Sequence, residues 1–100
     1  MGKAEALVEL IKANNKNLIR DQIYVSTDER GVVIADNYDN PMAVAIIVTI
    51  EGGYLIHNCV SGRAVHCSES DAQYCATNFT NVTACQNRYY DLEEINERAY

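Results

Sequence analysis

MAVAIIVTIEGGYLIHNCV, residues 42–60, is the most apolar stretch of the chain, and the remaining residues have to accommodate it. Alternation puts Val44, Ile46, Val48 and Ile50 on one face of an extended strand and Ala45, Ile47 and Thr49 on the other. Gly52-Gly53 supplies two residues free to take φ > 0, as a two-residue hairpin loop requires, and Tyr54-Leu55-Ile56 begins the return. In that register Glu51 faces Tyr54, Ile50 faces Leu55, Val48 faces His57 and Ile46 faces Cys59. The ribbon then carries one apolar face, Val44, Ile46, Val48, Ile50, Leu55 and Cys59, which needs a helix to cover it.

Working outward, residues 22–27 (QIYVST) alternate and are rich in β-branched and aromatic types. Asp28-Glu29-Arg30-Gly31 reads as a loop, and Val32-Val33-Ile34-Ala35 returns, giving a first hairpin. Asp36-Asn37-Tyr38-Asp39-Asn40-Pro41 is a turn-forming cluster before the central strand. Beyond the central hairpin, a two-residue turn at Ser61-Gly62 leads into Arg63-Ala64-Val65-His66-Cys67. Residues 22–67 therefore read as a meander of four to five antiparallel strands joined by short loops.

Helices flank the meander. Over residues 3–20, Leu7, Leu10, Ile11, Leu18 and Ile19 recur at helical spacing, and Asn14, Asn15 and Asn17 place an end or a bend near residue 14. After Ser68 the period changes. Ser70 with Gln73 reads as a capping box, opening a helix to about residue 87 whose inward stripe is Ala72, Cys75, Ala76, Phe79, Val82 and Ala84 or Cys85. Its middle, TNFTNVT, has low helix propensity, so burial of Phe79 and Val82 must hold it. Asp91 with Glu94 reads as the cap of a last short helix carrying Leu92, Ile95 and Ala99. The expected fold is α+β, an antiparallel β meander of four to five strands covered on one face by an N-terminal and a C-terminal helix.

One hundred residues, 48% apolar and 22% charged, suit a single domain over 1–100. No run is long and apolar enough to cross a bilayer. The apolar start at Ala6-Leu7-Val8 is broken at once by Glu9 and lacks a small-residue cleavage site, so it does not read as a signal peptide, and Ala6 stands where a myristoylation motif has Ser or Thr. The expectation is a cytoplasmic chain in which Cys59, Cys67, Cys75 and Cys85 are reduced and the sequons at Asn78 and Asn81 are irrelevant. A net charge of −6, with Lys3, Lys12, Lys16 and Arg20 interleaved by acids, leaves no basic footprint for direct nucleic-acid binding.

Chemistry has few places to gather. With the Ser61-Gly62 turn, His57 faces His66 and Cys59 faces Ala64, so His57, Cys59 and His66 share one patch while Cys67 points to the opposite face. Imidazole and thiolate are zinc ligands, but three converging groups without a paired C-x-x-C spacing favour packing over metal. On the strand face that His57 and Cys59 share, no neighbouring carboxylate or amide orients a His–Cys nucleophile pair. The Asp36–Asn40 loop lacks the alternating ligands and distal glutamate of an EF-hand. Gly52-Gly53 opens no helix that could hold a phosphate, and the other carboxylates are scattered. No cofactor and no metal is expected.

What remains is surface. Seven tyrosines accompany one phenylalanine and no tryptophan, and tyrosine offers contact area with a polar end, which suits interaction sites. Tyr38 lies between Asp36 and Asp39, and Tyr89-Tyr90 precede Glu93 and Glu94. Asp36, Tyr38, Asp39, Tyr89, Tyr90, Glu93 and Glu94 are therefore the candidate partner-binding residues, while Tyr24, Tyr54 and Tyr74 border the core. By elimination the chain reads as a small acidic, non-catalytic protein that binds a protein partner. In layout alone, a short acidic domain of helix, meander and helix, it resembles phage-encoded inhibitors of bacterial defence, anti-CRISPR proteins among them. That resemblance implies a viral inhibitor presenting carboxylates to a nucleic-acid-binding surface of its partner, and it carries over no individual residue. The alternative is a metal-binding or redox-sensing module built on His57, Cys59, His66 and Cys67.

Overall fold

The alternating Val and Ile residues form strand β3 (Val44–Val48), which returns as β4 (Tyr54–Asn58). In the computed structural model, which describes residues 2–15, 23–25, 32–35, 44–49 and 51–98, this hairpin has a different register from the one expected. Val48 faces Tyr54, Ile46 faces Ile56 and Val44 faces Asn58. Of the two glycines only Gly52 takes a positive φ, 84°. Its N–H reaches the Thr49 carbonyl at 2.9 Å, and the Gly53 N–H reaches the Thr49 hydroxyl at 2.9 Å, so the loop is longer than two residues. The pairing is thereby shifted by an odd number of residues, which exchanges the faces of the returning strand. Tyr54, Ile56 and Asn58 face the core in place of Leu55 and Cys59.

The second turn differs too. β5 spans Ala64–Cys67, and His57 pairs with Ala64 while His66 pairs with Leu55. The cause is Asn58, which is fully buried and gathers the turn around itself. Its side-chain oxygen accepts from Val60 N–H at 2.9 Å and Ser61 N–H at 3.2 Å. Its backbone N–H donates to the Arg63 carbonyl at 2.7 Å, and its own carbonyl accepts from Gly62, whose φ is 77°.

On the other side of β3, β2 (Val32–Ala35) and β1 (Ile23–Val25) add in antiparallel order, described as backbone, so neighbours run β1-β2-β3-β4-β5. Their register pairs Val33 with Ile46 and Ile34 with Tyr24. Leu18, Ile19, the Asp28–Gly31 loop, the Asp36–Pro41 loop, Ile50, Ala99 and the side chain of Tyr24 lie outside the described residues.

Among the described residues three helices accompany the sheet: α1 (Lys3–Asn14), α2 (Glu69–Thr77) and α3 (Val82–Arg98). The N-cap of α2 is Ser68 rather than Ser70, with Asp71 completing the capping box: the Ser68 hydroxyl oxygen accepts from Asp71 N–H at 3.1 Å. The long helix expected to run to residue 87 is broken at Asn78–Asn81, and no break occurs before Asp91. Two asparagines explain this. Asn78 caps the end of α2, and the Asn81 side chain accepts from Ala84 N–H at 3.1 Å as the start of α3. Low propensity in TNFTNVT is thus realised as a corner, with Phe79 buried in it and Val82 exposed.

The helices pack on the sheet face that carries Val44, Ile46, Tyr54 and Ile56. Ala4, Leu7, Val8 and Ile11 of α1 meet Ala72, Cys75 and Ala76 of α2, and Phe79, Cys85 and Tyr89 complete the core. One buried amide ties α1 to α2 and to the corner that follows it. Asn15, 4% exposed, donates through Nδ2 to the carbonyls of Ile11 and Ala76, both at 2.9 Å. Its oxygen accepts from Thr80 N–H at 2.9 Å and from the Thr80 hydroxyl at 3.1 Å. The architecture is α+β. Among the described residues no helix is long and apolar enough to cross a membrane.

Candidate partner-binding site

The C-terminal candidates all lie on α3, and the helix separates them. Tyr89 is buried in the core, which removes it from any contact surface. Its hydroxyl donates to Glu93 Oε2 at 2.6 Å, one helical turn on. Burial first, and then Glu93, push the phenol's pKa up, while Ser61 and Arg63 act the other way. Glu93 also stands 3.8 Å from the exposed Arg63 guanidinium, so it ties α3 to the β4–β5 turn. The reason is periodicity: residues 85, 89 and 92 share the inward side, and 93 flanks it.

Tyr90 and Glu94 face outward, with Tyr90 51% exposed. The Tyr90 ring meets Tyr89 edge-on, centroids 5.6 Å apart. Two residues missed in sequence complete this side, Asp91 and Ile95, the latter 61% exposed. At roughly 100° per residue, Tyr90, Glu94, Asp91 and Ile95 fall in that order across an arc of about 140°, two apolar groups flanking two carboxylates. Their i, i+4 spacing was the signal that could have found them. Asp36, Tyr38 and Asp39 lie outside the described residues.

The histidine–cysteine constellation does not assemble. His57 and His66 sit diagonally across the β4–β5 ladder, each opposite an aliphatic residue. Cys59 is exposed in the turn, and Cys67 faces the core side, opposite Tyr54. Burial, and secondarily Asp71, push the Cys67 thiol up to about 12. Among the described residues no three His, Cys, Asp or Glu side chains gather as a ligand set.

A groove of about 150 Å³ lies between α1, α2 and β4, lined by Lys3, Leu7, Leu10, Tyr54, Glu69 and Gln73. Lys3 donates to the Gly52 carbonyl and sits 5.3 Å from the centre of the Tyr54 ring, so its charge is spent on closing the hairpin against α1. Tyr54 itself is buried, and its pKa is raised by that burial and then by Glu69. A similar arrangement joins α2 to α3: Arg88 pairs with Asp71 at 2.9 Å while lying 4.1 Å over the Tyr74 ring. Tyr54 thus belongs to the core, whereas Tyr74 is partly exposed beneath its arginine.

No family model, no curated protein and no solved structure matches this chain.

Proposed function

We propose that the chain is a small acidic, non-catalytic protein that binds a protein partner and blocks or modulates it through the outward side of α3. The observation that supports this is the exposure of Tyr90 and Ile95 beside Asp91 and Glu94 on one helix. An exposed aromatic on a rigid helix brings contact area with little rotamer freedom to lose, and the carboxylates steer it toward a basic surface. With a net charge of −6, a partner whose own ligand is a nucleic acid fits best, and a phage-encoded inhibitor of bacterial defence is the form such a protein would take.

The test is capture from a bacterial lysate, identification of the retained protein, and binding kinetics with purified components. Asp91→Lys with Glu94→Lys should slow association and flatten its dependence on salt. Tyr90→Ala should speed dissociation by an amount corresponding to about 2 kcal/mol. Each variant needs a thermal melt alongside. Folded variants that bind the identified partner as the parent does would put the contact elsewhere.

A further inference from the structure

Two of the four cysteines are placed for chemistry that the surface of α3 does not use. Cys75, in the last turn of α2, and Cys85, in the first turn of α3, are both fully buried and meet across the corner. Cys85 Sγ lies 3.8 Å from the Cys75 carbonyl oxygen and 3.2 Å from that of Asn78. Cys59 lies in an exposed turn, and Cys67 lies half-buried on β5, packed against the core and near enough to Cys75 to act on it. We propose that Cys75 and Cys85 are a redox pair, closing under a two-electron thiol oxidant to a disulfide that staples α2 to α3.

With an azodicarboxamide oxidant such as diamide the step balances. One thiolate adds to the N=N bond and forms an S–N bond. The second sulfur attacks the first, the S–S bond forms and the S–N bond breaks. The azo group leaves reduced to the hydrazine, carrying both electrons and both thiol protons. The pair is shielded in the folded chain. Hydrogen bonding to Cys85 together with burial holds the Cys75 proton far above its ordinary range, and neither sulfur touches solvent. Oxidation therefore waits for the corner to open, and the clamp on that corner is Asn15, through Ala76 and Thr80.

The experiment treats the full-length reduced chain and the Asn15→Ala variant with diamide under native conditions, then alkylates, measures intact mass and maps the peptides. The expected result is loss of two hydrogens, a Cys75–Cys85 cross-link, and Cys59 and Cys67 still alkylated. The reaction should run roughly tenfold or more faster in the variant, since an opening-limited rate follows the population of the open corner. Dithiothreitol should restore four thiols. The oxidised parent should melt on the order of 10 °C higher, because the short loop between the two cysteines is closed in the unfolded chain. A different pairing overturns the proposal, as does the absence of an intramolecular disulfide in Asn15→Ala, or the same two-hydrogen loss persisting in Cys75→Ser. A melting temperature that falls on oxidation overturns the stapling.

Discussion

Replacing Asn15 by alanine should destabilise the chain by about 3 kcal/mol, although the substitution removes only a small polar side chain at the end of a helix. The magnitude follows from what is left behind. The Ile11 carbonyl keeps a partner, since the residue 15 backbone N–H donates to it at 3.0 Å. The Thr80 hydroxyl can turn toward another acceptor. The Ala76 carbonyl cannot, because it loses the Asn15 amide where that residue is only 4% exposed, and the half-buried Thr80 N–H loses its acceptor as well. Each orphaned buried group costs about 1–3 kcal/mol, so two give about 2–6, and the half-buried Thr80 keeps the sum in the lower half of that range. Against a total stability of about 5–15 kcal/mol for a domain of this size, that is a large share. Urea unfolding followed by circular dichroism measures it directly, and the melting temperature should fall by roughly 10–20 °C. Asn14→Ala is the internal control. Asn14 is exposed and donates to the Leu10 carbonyl at 2.8 Å, so its loss should change stability by no more than about 0.5 kcal/mol. An Asn15→Ala variant within about 1 kcal/mol of the parent at unchanged m-value would refute the reasoning.

Two further predictions concern the core. Tyr89→Phe should cost about 1–2 kcal/mol by equilibrium unfolding, because it leaves the ring in place and removes the hydroxyl that donates to Glu93 at 2.6 Å. Stability should also fall as the solution becomes alkaline. Tyr54 and Tyr89 are raised from 10.0 and Cys67 is raised from 9.0 to about 12, while Cys75 and Cys85 move in opposite directions and offset one another. The unfolded chain therefore releases protons that the folded chain still holds, and stability present below pH 9 is lost progressively above it. Urea midpoints between pH 8 and pH 11 should show this decline, with a shallower slope in Cys67→Ala; a flat profile would contradict it.

The class of fold was legible because its strongest signal, alternation through Val44, Ile46 and Val48, is local, and the boundaries of α1 agreed with the asparagines that end it. Register was not legible. Gly52 and Gly53 look alike in sequence, but only the first uses its freedom, and that choice rests on where Thr49 sends its hydroxyl and carbonyl. Because a strand's faces alternate, one turn misjudged by an odd number of residues put Leu55 and Cys59 inside where Tyr54, Ile56 and Asn58 belong. The α2–α3 corner was hidden for a related reason. Weak helix propensity in TNFTNVT can mean a buried helix or a turn, and Asn81 accepting from Ala84 decides it. Of the candidate contact residues, Tyr90 and Glu94 lie at the surface while Tyr89 is core and Glu93 is bound to it. Adjacency in sequence had grouped residues that helical periodicity divides.

The buried side of α2 consists of Ala72, Cys75 and Ala76, none with any exposure, and this helix packs on α1, on α3 and on the sheet. With side chains this short it works as a shim: its own backbone thickness sets the gap between its neighbours. A longer side chain at Ala72 or Ala76 has no solvent to escape into and would have to lift α1 from the sheet, carrying the Asn15 bridge with it. The inner face of α2 is therefore the least tolerant of growth in the fold, and cysteine at position 75 already stands near the upper limit of what the gap admits.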